Sequence, residues 1–146
     1  MLVVFFCYDP TTLADTIHCE KVEDFNWELI GLHRTCFIEE FQYADFKKQI
    51  SENKSDEISG LSLKNSHKLI KLPEKINKNF PNLEGYNADG CLIKKLNKNN
   101  FVGLTKLRNL QLNFNPLEEI PDNVFQDLQN LEFLHLSKYL INISFI

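Results

Sequence analysis

His18, Cys19, His33 and Cys36 lie within a short stretch and are of the types that ligate zinc or, for the two thiols, close a disulfide. The chain has no C-x-x-C pair, and the spacing of these four residues matches no usual zinc framework. Adjacent carboxylates occur at Glu39-Glu40 and Glu118-Glu119, but neighbouring residues do not face each other across a cleft as acid–base partners must. His67 and His135 have no nucleophile placed to share their face. G-x-S-x-G, H-E-x-x-H, a phosphate-binding loop and a Gly-rich dinucleotide turn are all absent. The residues therefore point away from catalysis and call for neither a cofactor nor a metal.

The elements that must position these residues follow from a repeat. Leu107, Leu110, Leu112, Asn115, Leu117, Ile120, Pro121, Phe125 and Leu128 fit L-x-x-L-x-L-x-x-N-x-L-x-x-I-P-x-x-x-F-x-x-L. One period earlier, Leu83, Tyr86, Ala88, Cys91, Ile93, Leu96, Phe101 and Leu104 take the same slots. An upstream copy starts near Ile58 with Leu61 and Leu63, carries about one extra residue before Leu69, and runs through Leu72, Pro73 and Phe80. A last copy gives Leu131, Leu134 and Leu136, puts Tyr139 where Asn or Cys is expected, and fades through Ile141. A period of about 24 residues with this signature resembles the leucine-rich repeat. The resemblance implies an α/β right-handed solenoid with a concave parallel β-sheet, an irregular or 3₁₀ convex side and an N-terminal cap. Residues 1–18 are read as a signal-like leader, 19–57 as the cap, and 58–146 as three full coils plus an incomplete fourth.

Each coil should open with a short strand whose alternate apolar residues point inward. One coil cannot bury its own leucines, so stability must come from stacking. Asn115 is expected to bond backbone groups left unpaired at the turn between coils. Cys91, in the same slot, reads as a buried free thiol. Pro73 and Pro121 keep the convex side from forming a long helix. Asp122–Gln126 is expected to make one turn, with Phe125 plugging the core.

The outward strand positions form the expected protein-binding face: Ser62 and Lys64, then Asn87 and Asp89, then Asn109, Gln111 and Asn113, then Phe133, His135 and Ser137. This face is polar and amide-rich, which suits peptide backbone or glycan better than a highly charged partner. The competing view is a merely soluble surface. Lys94, Lys95, Lys98 and Lys106 are interleaved with Asn and apolar positions, and the net charge is −4, so nucleic acid is not expected. No apolar run approaches the roughly 18 residues of a membrane span.

The cap segment holds Cys19 and Cys36 around Trp27, with Phe25, Phe37, Phe41, Tyr43 and Phe46. Preceding repeats of extracellular type, it reads as a disulfide-closed cap, which in the chain-entropy model contributes about 3 kcal/mol. Asn53-Lys54-Ser55 and Asn142-Ile143-Ser144 are glycosylation acceptors. The Cys19…Trp27…Cys36 segment and Phe80-Pro81-Asn82-Leu83-Glu84 together resemble secreted leucine-rich repeat proteins of the insect type. That likeness implies an extracellular binding module, in some members immune or developmental. Two departures stand out. Leu2–Cys7 is short for a signal core, with Thr12-Leu13-Ala14 as a weak cleavage site and a buried N-terminal strand as the alternative. Leu134, Leu136, Ile141, Ile143 and Phe145 would also lack a covering coil, so the tail folds back, the molecule self-associates end to end, or the sequence is a fragment of a larger receptor. An intracellular scaffold with reduced cysteines is the alternative function.

Overall fold

The computed structural model describes residues 19, 21–38 and 55–136. The leader, His18, Asn53, Ser137, Asn142, the adjacent glutamates at 39–40 and the rest of the last coil lie outside the described residues. Six strands form one sheet in chain order. They are β1 Lys21–Trp27, β2 Gly31–Phe37, β3 Gly60–Ser62, β4 Gly85–Asn87, β5 Asn109–Gln111 and β6 Phe133–His135.

The four short strands pair in parallel, with Gly60, Gly85, Asn109 and Phe133 side by side. The central residue of each points inward. Leu61, Tyr86 and Leu110 are fully buried, whereas Leu134 in the last described strand is 40% exposed. The same stacking continues round the coil. Leu69, Ile93 and Leu117 form one buried column, and Leu72, Leu96 and Ile120 another. Each such side chain contributes roughly 1.5–3 kcal/mol relative to exposure, but only when the neighbouring coil supplies the cover. This is a leucine-rich repeat solenoid.

Among the described residues the helical segments are short 3₁₀ turns, Ser55–Glu57, Ile76–Lys78 and Lys98–Asn100, the second and third on the convex side. Too few residues separate the inward columns for a longer helix. Asn97 caps the Lys98–Asn100 turn: its side chain accepts from the Asn99 N–H at 2.7 Å, and its own N–H donates to Asn100 Oδ1 at 2.7 Å. Asn100 is itself buried and donates to the Leu72 carbonyl at 3.1 Å. In the third coil Val124 is buried at the position that Asn100 holds in the second, and Phe125, at the position of Phe101, is partly buried against the core. Phe101 is fully buried beneath Phe125, ring centroids 5.5 Å apart. Phe125 thus packs on the edge of the core rather than filling its centre.

Asn115 works as the pattern requires. Its amide donates to the carbonyls of Ala88, Leu112 and Asn113, and its oxygen accepts from the Ile93 N–H. Cys91 makes a similar link with one thiol, bonding Leu63 O at 3.2 Å. Burial pushes that thiol up to about 11, so it stays protonated. Ser66 fills the slot in the first coil and reaches Ile38 O at 3.4 Å. The residue before the slot is left-handed in all three coils: Asn65 (φ 63), Gly90 (φ 66) and Phe114 (φ 58). For residues other than Gly, Asn or Asp that conformation costs about 1–2 kcal/mol.

β1 and β2 form an antiparallel hairpin whose second strand continues the sheet, Thr35–Phe37 pairing in parallel with Gly60–Ser62. Cys19 is disulfide-bonded to Cys36, Cα atoms 5.2 Å apart. Both sulfurs are thereby consumed. His33 lies between Ser59 Oγ at 3.0 Å and the Ile30 carbonyl at 3.2 Å, a structural role.

Candidate functional site

Strand alternation sets the residues of the concave face in rows. The first row, by register, is Thr35, Gly60, Gly85, Asn109 and Phe133. A Cβ added at Gly60 would meet the Thr35 hydroxyl and, at 2.9 Å, Trp27 Nε1. One added at Gly85 would meet the indole carbons at 2.8–2.9 Å. Trp27 therefore lies on both glycines, is 3% exposed, and donates from Nε1 to Thr35 Oγ1 at 3.1 Å. The proximal end of the concave face is occupied by the protein's own tryptophan. Phe25 stands edge-on to both Trp27 and Phe37, at centroid separations of 5.9 and 5.6 Å.

Asn109 follows in the same row and is 1% exposed, with neither amide atom bonded. Leaving such groups unpaired costs about 1–3 kcal/mol. This corrects the expectation of an open amide: Asn109 has the predicted orientation, but it is covered. Its register neighbours are Gly85, which carries the indole, and Phe133.

The second row is Phe37, Ser62, Asn87, Gln111 and His135. Ser62 is buried and contributes little surface. Asn87 donates through its amide to Gln111 Oε1 at 2.8 Å, and its own oxygen accepts from the Asp89 N–H at 2.8 Å. Asn87, Gln111, Phe133 and His135 are part-exposed. His135 Nε2 is covered and unbonded.

Lys64, Asp89 and Asn113 continue the face beyond the strands. Asp89 Oδ1 accepts from the Asn113 N–H at 2.6 Å, and Oδ2 from its amide at 3.3 Å. Burial raises the Asp89 carboxyl above the ordinary range, opposed by the Asn113 bonds and by the Lys64 and His135 charges. Asn87–Gln111 and Asp89–Asn113 are equivalent links between successive coils, 24 residues apart. They hold the polar floor in one arrangement.

Elsewhere the charged residues serve the stacking. Arg108 lies between Glu84 and Glu132, and Lys94 and Lys95 face Glu118 and Glu119 in the next coil. Lys106 donates to Asn82 Oδ1 at 2.6 Å. Among the described residues, no His, Cys, Asp and Glu group is placed to hold a metal ion, and no helix is long and apolar enough to cross a membrane.

The Trp27 plug was missed from sequence. Its signal is glycine at the same outward position of two successive strands, where a close approach is the usual reason for lacking a side chain.

A family model described as "Leucine rich repeat" matches residues 89–141. No curated protein matches the chain. The family match and the solenoid together support a leucine-rich repeat protein.

Proposed function

We propose that the chain is a non-enzymatic protein-recognition module that presents the distal concave face to an extracellular protein partner. The observation that carries this reading is the bonded floor Asn87–Gln111 and Asp89–Asn113, flanked by Phe133 and His135. Parallel strands place these side chains in one surface, and the bonds between coils limit the freedom that binding would otherwise remove. Tryptophan occupies the proximal end, so the partner meets Asn87, Gln111, Asp89 and Asn113, with Phe133 and His135 on β6, rather than the whole face. The Cys19–Cys36 bridge supports an oxidising compartment, in keeping with the Asn53 acceptor site. An immune or developmental setting is the finer part of the same proposal.

The test is a Gln111→Arg, Asn113→Arg double variant, used beside the parent as bait on secreted material. Far-ultraviolet circular dichroism should be unchanged and partner capture lost. Undiminished capture by a folded double variant would move the interface elsewhere. Non-reducing peptide mapping of protein from a secretory host tests the compartment, with a Cys19–Cys36 linked peptide and a glycan at Asn53 as the expected products.

A further inference from the structure

The concave floor satisfies its polar side chains from within: Asn87 bonds Gln111, and Asp89 bonds Asn113. At Asn109 and His135 this fails. Both amide atoms of Asn109, a residue 1% exposed, and Nε2 of His135 are buried without a hydrogen-bond partner. Unpaired groups of this kind disfavour the fold, so their retention calls for a cause outside the chain's own packing.

The two residues lie close together. On the adjoining strands β5 and β6, Asn109 sits beside Phe133 and Gln111 beside His135. Asn109 and His135 are thus diagonal neighbours on one face, a separation on the order of 7–8 Å. Together they offer a donor and an acceptor on one amide, with a ring nitrogen further along. An extended chain presents the complement. The N–H and C=O of one residue lie on the same edge, which is how paired strands exchange two bonds at one residue. That edge recurs every second residue, about 6.6 Å on, close to the diagonal spacing. A helix presents no such edge, because its N–H and C=O groups bond along the helix.

The row also shows where a ligand would enter. On one side of Asn109 the indole over Gly85 is 3% exposed and tied to Thr35 by its N–H. On the other side Phe133 is part-exposed, so its ring is the one that turns aside.

We propose that Asn109 and His135 read the backbone of an extended peptide segment of the partner, which rests on the concave-face reading and narrows its ligand to one kind. Asn109 donates to the C=O and accepts from the N–H of one peptide residue. His135 Nε2 accepts the N–H two residues along.

The probe is a random-peptide library displayed on phage and selected on the folded, oxidised protein. An enriched peptide is then synthesised with each residue N-methylated in turn, which removes one backbone N–H at a time. Binding should be lost with the Gln111→Arg, Asn113→Arg double variant. It should weaken about tenfold or more with Asn109→Leu, although that variant's urea midpoint rises. Methylation at one position should cost the parent a similar factor and cost Asn109→Leu little. A second sensitive position, two residues away, should disappear with His135→Phe. Full binding by Asn109→Leu, or methylation costs that are equal for parent and variant, would overturn the proposal while leaving the concave-face reading standing. So would a lower urea midpoint for Asn109→Leu, since the amide would then be bonded within the free protein. A library that yields no binder would overturn the extended-peptide ligand. Peptides held equally by the double variant would overturn both this proposal and the concave-face reading.

Discussion

The hairpin and the coils solve the same problem by different means. From Leu61 to Leu112 the inward residues of the coils are covered by their counterparts in the next coil, and buried backbone is bonded by a side chain recurring in one slot: Ser66, Cys91, Asn115. Among the described residues the hairpin has no preceding coil to copy. It uses a disulfide at one end and, at the other, an indole laid over two glycines on the face opposite the core. Repetition makes the coils tolerant, since each depends on its neighbours alone. The hairpin depends on single contacts. Mutations there should act like the loss of a keystone, and mutations in the coils like the loss of one increment.

The strongest way to break this contrast is Trp27→Ala. Removing a buried aromatic should cost about 3–5 kcal/mol, measured as a lower urea midpoint by circular dichroism. A loss no larger than that of a typical coil leucine would deny the indole its special role. In the coils, Asn115→Ala strands the carbonyl of Ala88 and the N–H of Ile93, and should cost about 1–3 kcal/mol. Cys91→Ala removes one weaker thiol bond and should cost less in the same titration; equal losses would show that the slot is filled by volume rather than by bonding.

Asn109 stands at the boundary, where the row covered by Trp27 gives way to the open floor. Replacing its unpaired amide by Asn109→Leu, of similar size, should stabilise the protein by about 1 kcal/mol. Destabilisation would mean that the amide is bonded in solution.

The smallest effect concerns Asp89. Its folded pKa lies above the ordinary 3.8, chiefly through burial. The folded state therefore binds this proton more readily than the unfolded chain does. Stability from this group should rise as the pH falls from neutrality through the raised value towards 3.8, and its charge is a cost above that window. Asp89→Asn should remove the increment, which parallel pH series of urea midpoints would reveal. Identical pH profiles would place the carboxylate in water.

Much of the solenoid was legible because its evidence is periodic. Leu110, Leu112 and Leu117 announce strand and core by spacing, and Asn115 announces its bonds by type and place. Phe125 and Val124 were harder, because both slots are buried in the preceding coil, by Phe101 and Asn100, and only packing decides how deeply each is covered. The outward orientation of Asn87, Asn109 and Gln111 followed from alternation. Their exposure did not, since it depends on what lies above them.

Residue order alone therefore determined the inward columns and the faces of the strands, because those follow from local chain geometry repeated at a constant interval. Tertiary structure alone decided that Trp27, far from the coils in sequence, rests on Gly60 and Gly85. It also decided that Asn109 is covered while Gln111 stays part-exposed, and that Phe114 is held in a left-handed turn. These are non-periodic contacts between distant segments. Their energies depend on three-dimensional fit, which spacing along a chain does not encode.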